Sequence, residues 1–347
     1  MPKPLTVAVL AGAALLTRSA LRRRVRASPL WPLPALDPPV SGRPRTRALR
    51  LRVAARETVA EDVVRLRLEG VDLPRWEPGA HIDLVLPSGL VRQYSLCGDP
   101  ADTSSYTVAV RLVRDGRGGS REVHEQVREG TELEVRGPRN RFPLIAAPSY
   151  VFVVGGIGIT PVLPMLRALP EGADWRLVYA GRTPDSMPFL DELAEFGADR
   201  VTVASGRRPE LDALRAELPE ETVVYCCGPE EMMAAVAERF PDVRLERFAP
   251  RAQLGGASGG DTAFEVELRR SGRTLTVAAD STVLAAVRAE LPDTLYSCEQ
   301  GFCGTCQQRV VEGEVEHRDE LLTDAERDDS MLICVSRARG ERIVLDM

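Results

Sequence analysis

The sequence predicts a multidomain chain of α+β and α/β type, a small antiparallel barrel followed by a parallel sheet between helices and a short C-terminal block. Three observations carry this. Residues 49–145 alternate in short apolar runs separated by turn signals, with hardly any helix pattern. Residues 149–250 switch to a strand–helix rhythm. Residues 263–347 then combine a hairpin, one helix and a cysteine-rich loop.

In the first block the strand-like runs are RLRVAARETV, VVRLRLEG, HIDLVLP, YTVAVRLV and TELEVRGP, with turns at EPGA, PSG, GDP and DGRGG. Short strands at close spacing suit a small barrel. The second block reads YVFVVGG as a buried strand and WRLVYAG, RVTVAS and TVVYCCG as further strands, each followed by a helix, with VRLERF closing the set. Such alternation implies a parallel sheet covered on both faces. RAQLGGASGGDT, residues 251–262, is a Gly/Ser linker. The last block opens with FEVELRRSGRTLTV, a hairpin, and STVLAAVRAEL, a helix expected to be capped by Asp280.

Charge is unevenly placed. The chain carries −6 overall, whereas residues 1–52 hold eleven Lys/Arg against the single acid Asp37. The apolar dozen LTVAVLAGAALL is too short to span a bilayer, and its basic stretch RSALRRRVR follows it, the reverse of a secretory signal. Export is not expected. The tail reads either as a weakly docked extension or as a weak contact with an anionic membrane surface. Seven cysteines, clustered rather than spread, argue against a secreted disulfide scaffold and suit a reducing cytoplasm.

GGIGITP, Gly155–Pro161, sits where a strand meets a helix, the place a pyrophosphate binds. Gly156 and Gly158 let the backbone approach a ligand, and Thr160 with Pro161 is expected to cap the helix. YCCGP ends the fourth strand at the same sheet edge. Cys226 there reads as a small buried hydrophobe, while Cys227, before Gly228, could equally sit against a nicotinamide. No clear ribose-binding acid follows; Arg182 or Asp185 could face the adenosine end, which leaves NADH and NADPH both open. In the barrel, RQYSL places Arg92 and Tyr94 on one face of a strand, with Ser95 beside them. Arg92 can hold a phosphate, Tyr94 can lie against a flat ring and Ser95 can bond a ring nitrogen. GRGGS, with Gly118, Gly119 and Ser120, opens a helix and offers a second anion site.

The spacing Cys298-x4-Cys303-x2-Cys306, then 27 residues to Cys334, is the plant-type [2Fe–2S] pattern. Zinc usually takes two separated C-x2-C units, and only one is present. Gly301 and Gly304 let the loop wrap closely. His81, His124 and His317 have no partner at metal spacing and read as structural or solvated.

RQYS, GRGGS, GGIGITP and CGP, in this order before the cysteine loop, resemble the phthalate dioxygenase reductase family within the ferredoxin–NADP reductase-like superfamily, over residues 48–347. The resemblance implies an antiparallel flavin-binding β-barrel (48–146), a doubly wound parallel-sheet NAD(P) domain (147–250), the linker (251–262) and a C-terminal β-grasp ferredoxin domain (263–347), after a basic, Pro-rich extension (1–47). It implies FMN rather than FAD, NADH, and a [2Fe–2S] cluster. Arg92, Tyr94 and Ser95 would contact the flavin, Gly118, Gly119 and Ser120 its phosphate, and Thr160 and Cys227 the nicotinamide. Phe248 would cover the flavin face, and Cys298, Cys303, Cys306 and Cys334 would hold the iron. Ser95 and Cys227 are the residues expected at the chemistry.

The activity implied is electron transfer from NADH through flavin and cluster to an oxygenase of an aromatic ring-hydroxylating or O-demethylating system. A cytochrome P450 partner and a redox-sensing iron–sulfur flavoprotein are the alternatives, and a non-redox zinc module a further rival. Residues 263–347 hold ten Arg against seventeen Asp/Glu, which favours a basic partner surface; no nucleic-acid partner is expected.

Overall fold

The structure, a computed structural model, describes residues 48–197, 199–249, 261–319 and 321–347. The basic tail and all of the linker except Asp261 and Thr262 lie outside the described residues. Six antiparallel strands form the first sheet: β1 (Leu49–Ala60), β2 (Val63–Glu69), β3 (Ala80–Val85), β4 (Val91–Ser95), β5 (Ser105–Arg111) and β6 (Glu132–Asn140), in the order β4-β3-β6-β1-β2-β5. Alternation drives the inward set Leu51, Val53, Leu66, Leu68, Ile82, Leu84, Val108 and Val135 into one core. Bulges in β1 and β6 bend the strands, and a bridge between Leu96 and Val108 joins the two edges, so the sheet closes on itself. Helix α1 (Gly119–Gln126) follows β5.

The second sheet is wholly parallel, in the order β11-β10-β7-β8-β9. Its strands are β7 (Ser149–Gly155), β8 (Asp174–Gly181), β9 (Val201–Ser205), β10 (Thr222–Cys227) and β11 (Arg244–Glu246). Every residue of β7 is buried, as a central strand covered on both faces requires. Helix α2 (Val162–Ala168) and helix α3 (Leu190–Ala194) cover one face with Phe152, Val154, Leu177 and Tyr179. Helix α4 (Leu211–Ala216) and helix α5 (Glu230–Arg239) cover the other, where Cys226 packs with Val151, Val153, Met233 and Val236 as the small hydrophobe expected. The chain runs outward from β7 to β9, then returns to β10 on the opposite side of β7. That reversal makes β7/β10 the switch point at which doubly wound sheets bind ligands.

The barrel and this sheet share apolar contacts: Val63, Cys97, Ala109 and Phe142 belong to the same cluster as Phe152 and Tyr225. Tyr225 fastens the joint, its hydroxyl accepting from Ile145 N at 2.8 Å and donating to Pro143 O at 3.1 Å. Arg167 donates to the Cys97 and Gly98 carbonyls at 2.7 and 2.8 Å.

The third sheet, β13-β12-β18-β14-β16, has β12 (Phe264–Leu268) parallel to β18 (Arg342–Leu345) at its centre, with β13 (Arg273–Val277), β14 (Gln307–Glu312) and β16 (Ser330–Leu332) antiparallel around them, and β15 (Val315–Glu316) and β17 (Arg337–Ala338) form a separate antiparallel pair. Helix α6 (Val283–Glu290) lays Val283, Leu284 and Val287 into its core, the β-grasp arrangement. Its cap differs from expectation: Thr282, not Asp280, is the extended N-cap residue, and its Oγ1 accepts from Ala285 N at 3.1 Å. Among the described residues, no helix is long and apolar enough to cross a membrane.

Candidate active site and cluster loop

Cross-strand pairing sorts the RQYS residues. Arg92 and Tyr94 stand opposite Leu84 and Ile82, while Ser95 stands opposite His81 on the other face. The Arg92 side chain runs back across the turn before α1. It donates to Val91 O at 2.8 Å and Arg117 O at 3.0 Å. Gly118 has a left-handed φ of 83°. A Cβ on Gly119 would stand 2.6 Å from the Arg92 chain, so only glycine lets the guanidinium lie over this helix start. The Ser120 hydroxyl accepts from Val113 N at 3.0 Å and keeps its own hydrogen to donate. Backbone N–H groups at a helix start, a guanidinium and a free hydroxyl proton form a donor set that fits a phosphate.

At the switch point two glycine turns interlock. A Cβ on Gly158 would fall 2.2 Å from the Cys227 carbonyl oxygen, and one on Gly228 would fall 2.9 Å from Gly155 N. Gly156 takes φ 52°, opening a short 3-10 turn, Gly156–Ile159, before α2. Here the expected cap is corrected. Thr160 is already helical, and its hydroxyl donates back to Ile157 O at 2.9 Å; Pro161 occupies the cap position, with no side-chain bond. The 3-10 turn runs straight into the helix, so no extended residue is available to cap it.

Ser95 at the end of β4 reaches the second sheet. It donates to Glu246 Oε2 at 3.4 Å, and Glu246 is the register partner of Cys227. All three are buried, Cys227 completely. Burial pushes the Cys227 thiol well up, helped by Glu246, and lifts the Glu246 carboxyl to about 8, the Ser95 hydrogen bond acting the other way. A neutral acid, a hydroxyl and a thiol thus meet where barrel and parallel sheet join. Phe248, two residues beyond Glu246, is exposed at 41% and free to lie over a ring. Glu246 has no motif of its own in the sequence; its signal is an acid in LERF, at a strand end two residues before that aromatic.

The cysteine loop lies against another side of the barrel. Cys298, Cys303, Cys306 and Cys334 are all buried. Cys298 touches Cys303 and Cys334, and Cys334 touches Cys306, so the four thiols form one continuous chain of contacts. Among the described residues no three such side chains are arranged for one metal ion; four thiols in one row of contacts suit a two-iron cluster, which takes two thiolates on each iron. The contact with Cys298 and then burial hold the Cys303 thiol up, so metal loading must expel its proton. Gln300 N and Thr305 N point at the Cys298 and Cys303 sulfurs, at 3.3 and 3.5 Å. Positive φ values at Gly301 and Gly304 (79° and 74°) give the loop its tight wrap.

Three barrel arginines, unforeseen from the sequence, grip this loop. Arg117 donates to Cys298 O at 2.7 Å, Arg139 to Thr305 Oγ1 at 3.1 Å, and Arg141 to Gln307 Oε1 and Glu326 Oε1 at 2.6 and 2.9 Å. Their signal was present, since Arg117 lies inside GRGGS and the others in RGPRNRF. Of the histidines, His124 bonds Val110 O at 2.9 Å and His317 faces Asp319 at 3.4 Å, both structural contacts. His81 is buried on the barrel face turned toward the loop.

A barrel with a phosphate cradle, a nucleotide-binding switch point and a plant-type cysteine loop define an NAD(P)H-dependent iron–sulfur flavoprotein oxidoreductase. Residues 266–339 match the profile of the 2Fe-2S iron-sulfur cluster binding domain, and residues 152–238 that of the oxidoreductase NAD-binding domain. The chain is 37% identical over 315 residues to the phthalate 4,5-dioxygenase oxygenase reductase subunit of Pseudomonas putida, covering 86% of this chain and 96% of that one. It is similar to the solved structure of phthalate dioxygenase reductase, described as a modular structure for electron transfer from pyridine nucleotides to [2Fe-2S] (35% identity, TM-score 0.65, 87% of this chain and 98% of that one). An intact type IV self-sufficient cytochrome P450 monooxygenase matches with a TM-score of 0.76 at 41% identity, covering 86% of this chain; the chain spans only 41% of that longer protein. The chain belongs to the phthalate dioxygenase reductase family, whose members pass electrons from a nicotinamide nucleotide through flavin and [2Fe–2S] to an oxygenase component.

Proposed function

We propose that this chain is the reductase of a Rieske-type aromatic ring-hydroxylating or O-demethylating oxygenase, working with FMN, NADH and one [2Fe–2S] cluster in the cytoplasm. The carrying observation is that one barrel touches both other sheets at sites of redox chemistry, Ser95 meeting Glu246 on one side and Arg117 meeting Cys298 O on the other. NADH supplies a hydride, the flavin divides that electron pair, and the cluster hands electrons on singly. The functional blocks are 48–146, 147–250 and 263–347.

Within this reading each residue has defined work. Arg92, Gly118, Gly119 and Ser120 hold the flavin phosphate, and Tyr94 and Phe248 flank its ring. Ser95 presents a hydroxyl to the ring nitrogen that accepts hydride. Gly156, Gly158, Thr160, Pro161 and Gly228 bring backbone close to the nucleotide, and Cys227 packs against the nicotinamide. Cys298, Cys303, Cys306 and Cys334 ligate the irons.

A P450 partner is the second reading, favoured by the 41% identity to the self-sufficient P450. The test is a spectrum of the anaerobically reconstituted protein, chromatography of its released flavin, and NADH-driven reduction of a purified Rieske oxygenase and of a bacterial P450. Flavin and iron–sulfur bands, FMN in the extract and faster turnover with the Rieske protein are expected. Absence of either band overturns the reductase reading; faster turnover with the P450 overturns the partner assignment alone.

A further inference from the structure

Most hydrogen bonds that reach the cluster sulfurs start in the cysteine loop, but one is set from outside it. Thr305 Oγ1 lies 3.3 Å from Cys303 Sγ and accepts from Arg139 Nη2 at 3.1 Å. A guanidinium can only donate, and a sulfur bound to iron carries no proton and can only accept. The hydroxyl between them has a single hydrogen. With Arg139 occupying an oxygen lone pair, that hydrogen is turned to the sulfur.

Arg139 belongs to β6 of the barrel and is itself held. Its Nη2 also pairs with the carboxylate of Asp83, whose side chain is completely buried. His81, the register partner of Arg139 on β3, is 1% exposed, and neither of its ring nitrogens has a hydrogen-bond partner. Burial, then Arg139 and Arg141, push its pKa down to about 3, so it stays neutral and adds no competing cation. On β4, His81 is also the register partner of Ser95. A chain of contacts thus runs from Asp83 through Arg139 and Thr305 to Cys303, starting on β3 and β6, the two strands that follow the Ser95 strand in sheet order.

We propose that Arg139 is a positioning residue for the cluster: by fixing the Thr305 hydroxyl as a donor to Cys303, the flavin barrel raises the reduction potential of the centre it feeds. A donor to sulfur favours the reduced, more negative cluster. The proposal rests on Cys303 being a cluster ligand, as read above.

The test is an EPR-monitored redox titration of the full-length holoprotein, with iron content measured alongside. Thr305→Val should weaken reduction about threefold to tenfold, a downward shift of roughly 30 to 60 mV for a one-electron couple. Thr305→Ser, which keeps the hydroxyl, should restore the wild-type value. Arg139→Met should shift the potential the same way in the wild-type background and not at all in Thr305→Val. If Arg139→Met fails to retain iron, Arg139→Gln takes its place in the same cycle. An unshifted Thr305→Val, or an Arg139 effect of equal size in both backgrounds, overturns the proposal. Wild-type protein without iron or a reduced-cluster EPR signal would instead refute the cluster reading, a separate and visible failure.

Discussion

Replacing Glu246 by glutamine should remove a specific slope from the pH dependence of stability. Burial lifts this carboxyl from the ordinary 4.5 to about 8. An unfolded chain loses the proton near the ordinary value, whereas the folded chain keeps it until about 8. In the interval the native state binds more protons than the unfolded one, so stability is full below the lower value and falls as pH rises through the upper. One group contributes about 1.4 kcal/mol per pH unit. Across the interval the loss approaches roughly 4 to 5 kcal/mol, an upper bound because relaxation and entering water soften burial. Glu246→Gln keeps the shape and has no proton to lose. Guanidinium midpoints of both proteins, taken between about pH 5 and pH 8, isolate this one group because all other titrations cancel in the difference. Wild type should lose stability against the variant steadily as pH rises. Parallel curves would mean that Glu246 is ionised throughout, and the reading of its environment would fail.

Gly119→Ala forces a Cβ to within 2.6 Å of Arg92 and should weaken FMN binding about tenfold, measured from the fluorescence of released flavin; unchanged affinity would remove Arg92 from the phosphate site. Gly158→Ala meets the Cys227 carbonyl at 2.2 Å, a clash with backbone that no rotamer relieves. Stopped-flow reduction of the flavin by NADH should slow by roughly a hundredfold while flavin and iron contents hold. Arg207 and Arg208 are exposed just beyond the carboxyl end of β9, where Gly206 N bonds Gly181 O at 2.8 Å. Replacing both by alanine should lower kcat/KM for NADPH about tenfold more than for NADH, since only the former brings a 2′-phosphate; equal losses would count against it. Tyr225→Phe breaks both bonds between the barrel exit and β10 and should cost about 1 to 3 kcal/mol, read from the first denaturation transition.

Much of this was legible in the chain because the signals are local. Alternation in VVRLRLE and the uniformly apolar YVFVVG each fix a sheet type within a few residues, and the cysteine spacing is itself a ligand pattern. What escaped was non-local or short-range competition. Glu246 matters only because Ser95, 151 positions away, folds onto it. Arg139 and Arg141 look like surface charge in RGPRNRF until the loop around Cys303 is laid against them. The two cap errors are of another kind. Several residues in DSTV and GITP could cap a helix, and the choice turned on which one kept an extended backbone, Thr282 in the first case and none in the second.

The place of β18 in the third sheet has a consequence for how the protein is made. This strand, Arg342–Leu345, is the last in chain order yet lies between β12 and β14, pairing with both. Until the ribosome has released residues through Leu345, β12 has no inner neighbour and the loop bearing three of the four cysteines has no floor. The barrel and the parallel sheet, complete about a hundred residues earlier, can fold while synthesis continues. Flavin can therefore be bound on the nascent chain before β18, and with it the floor of the iron site, has been made.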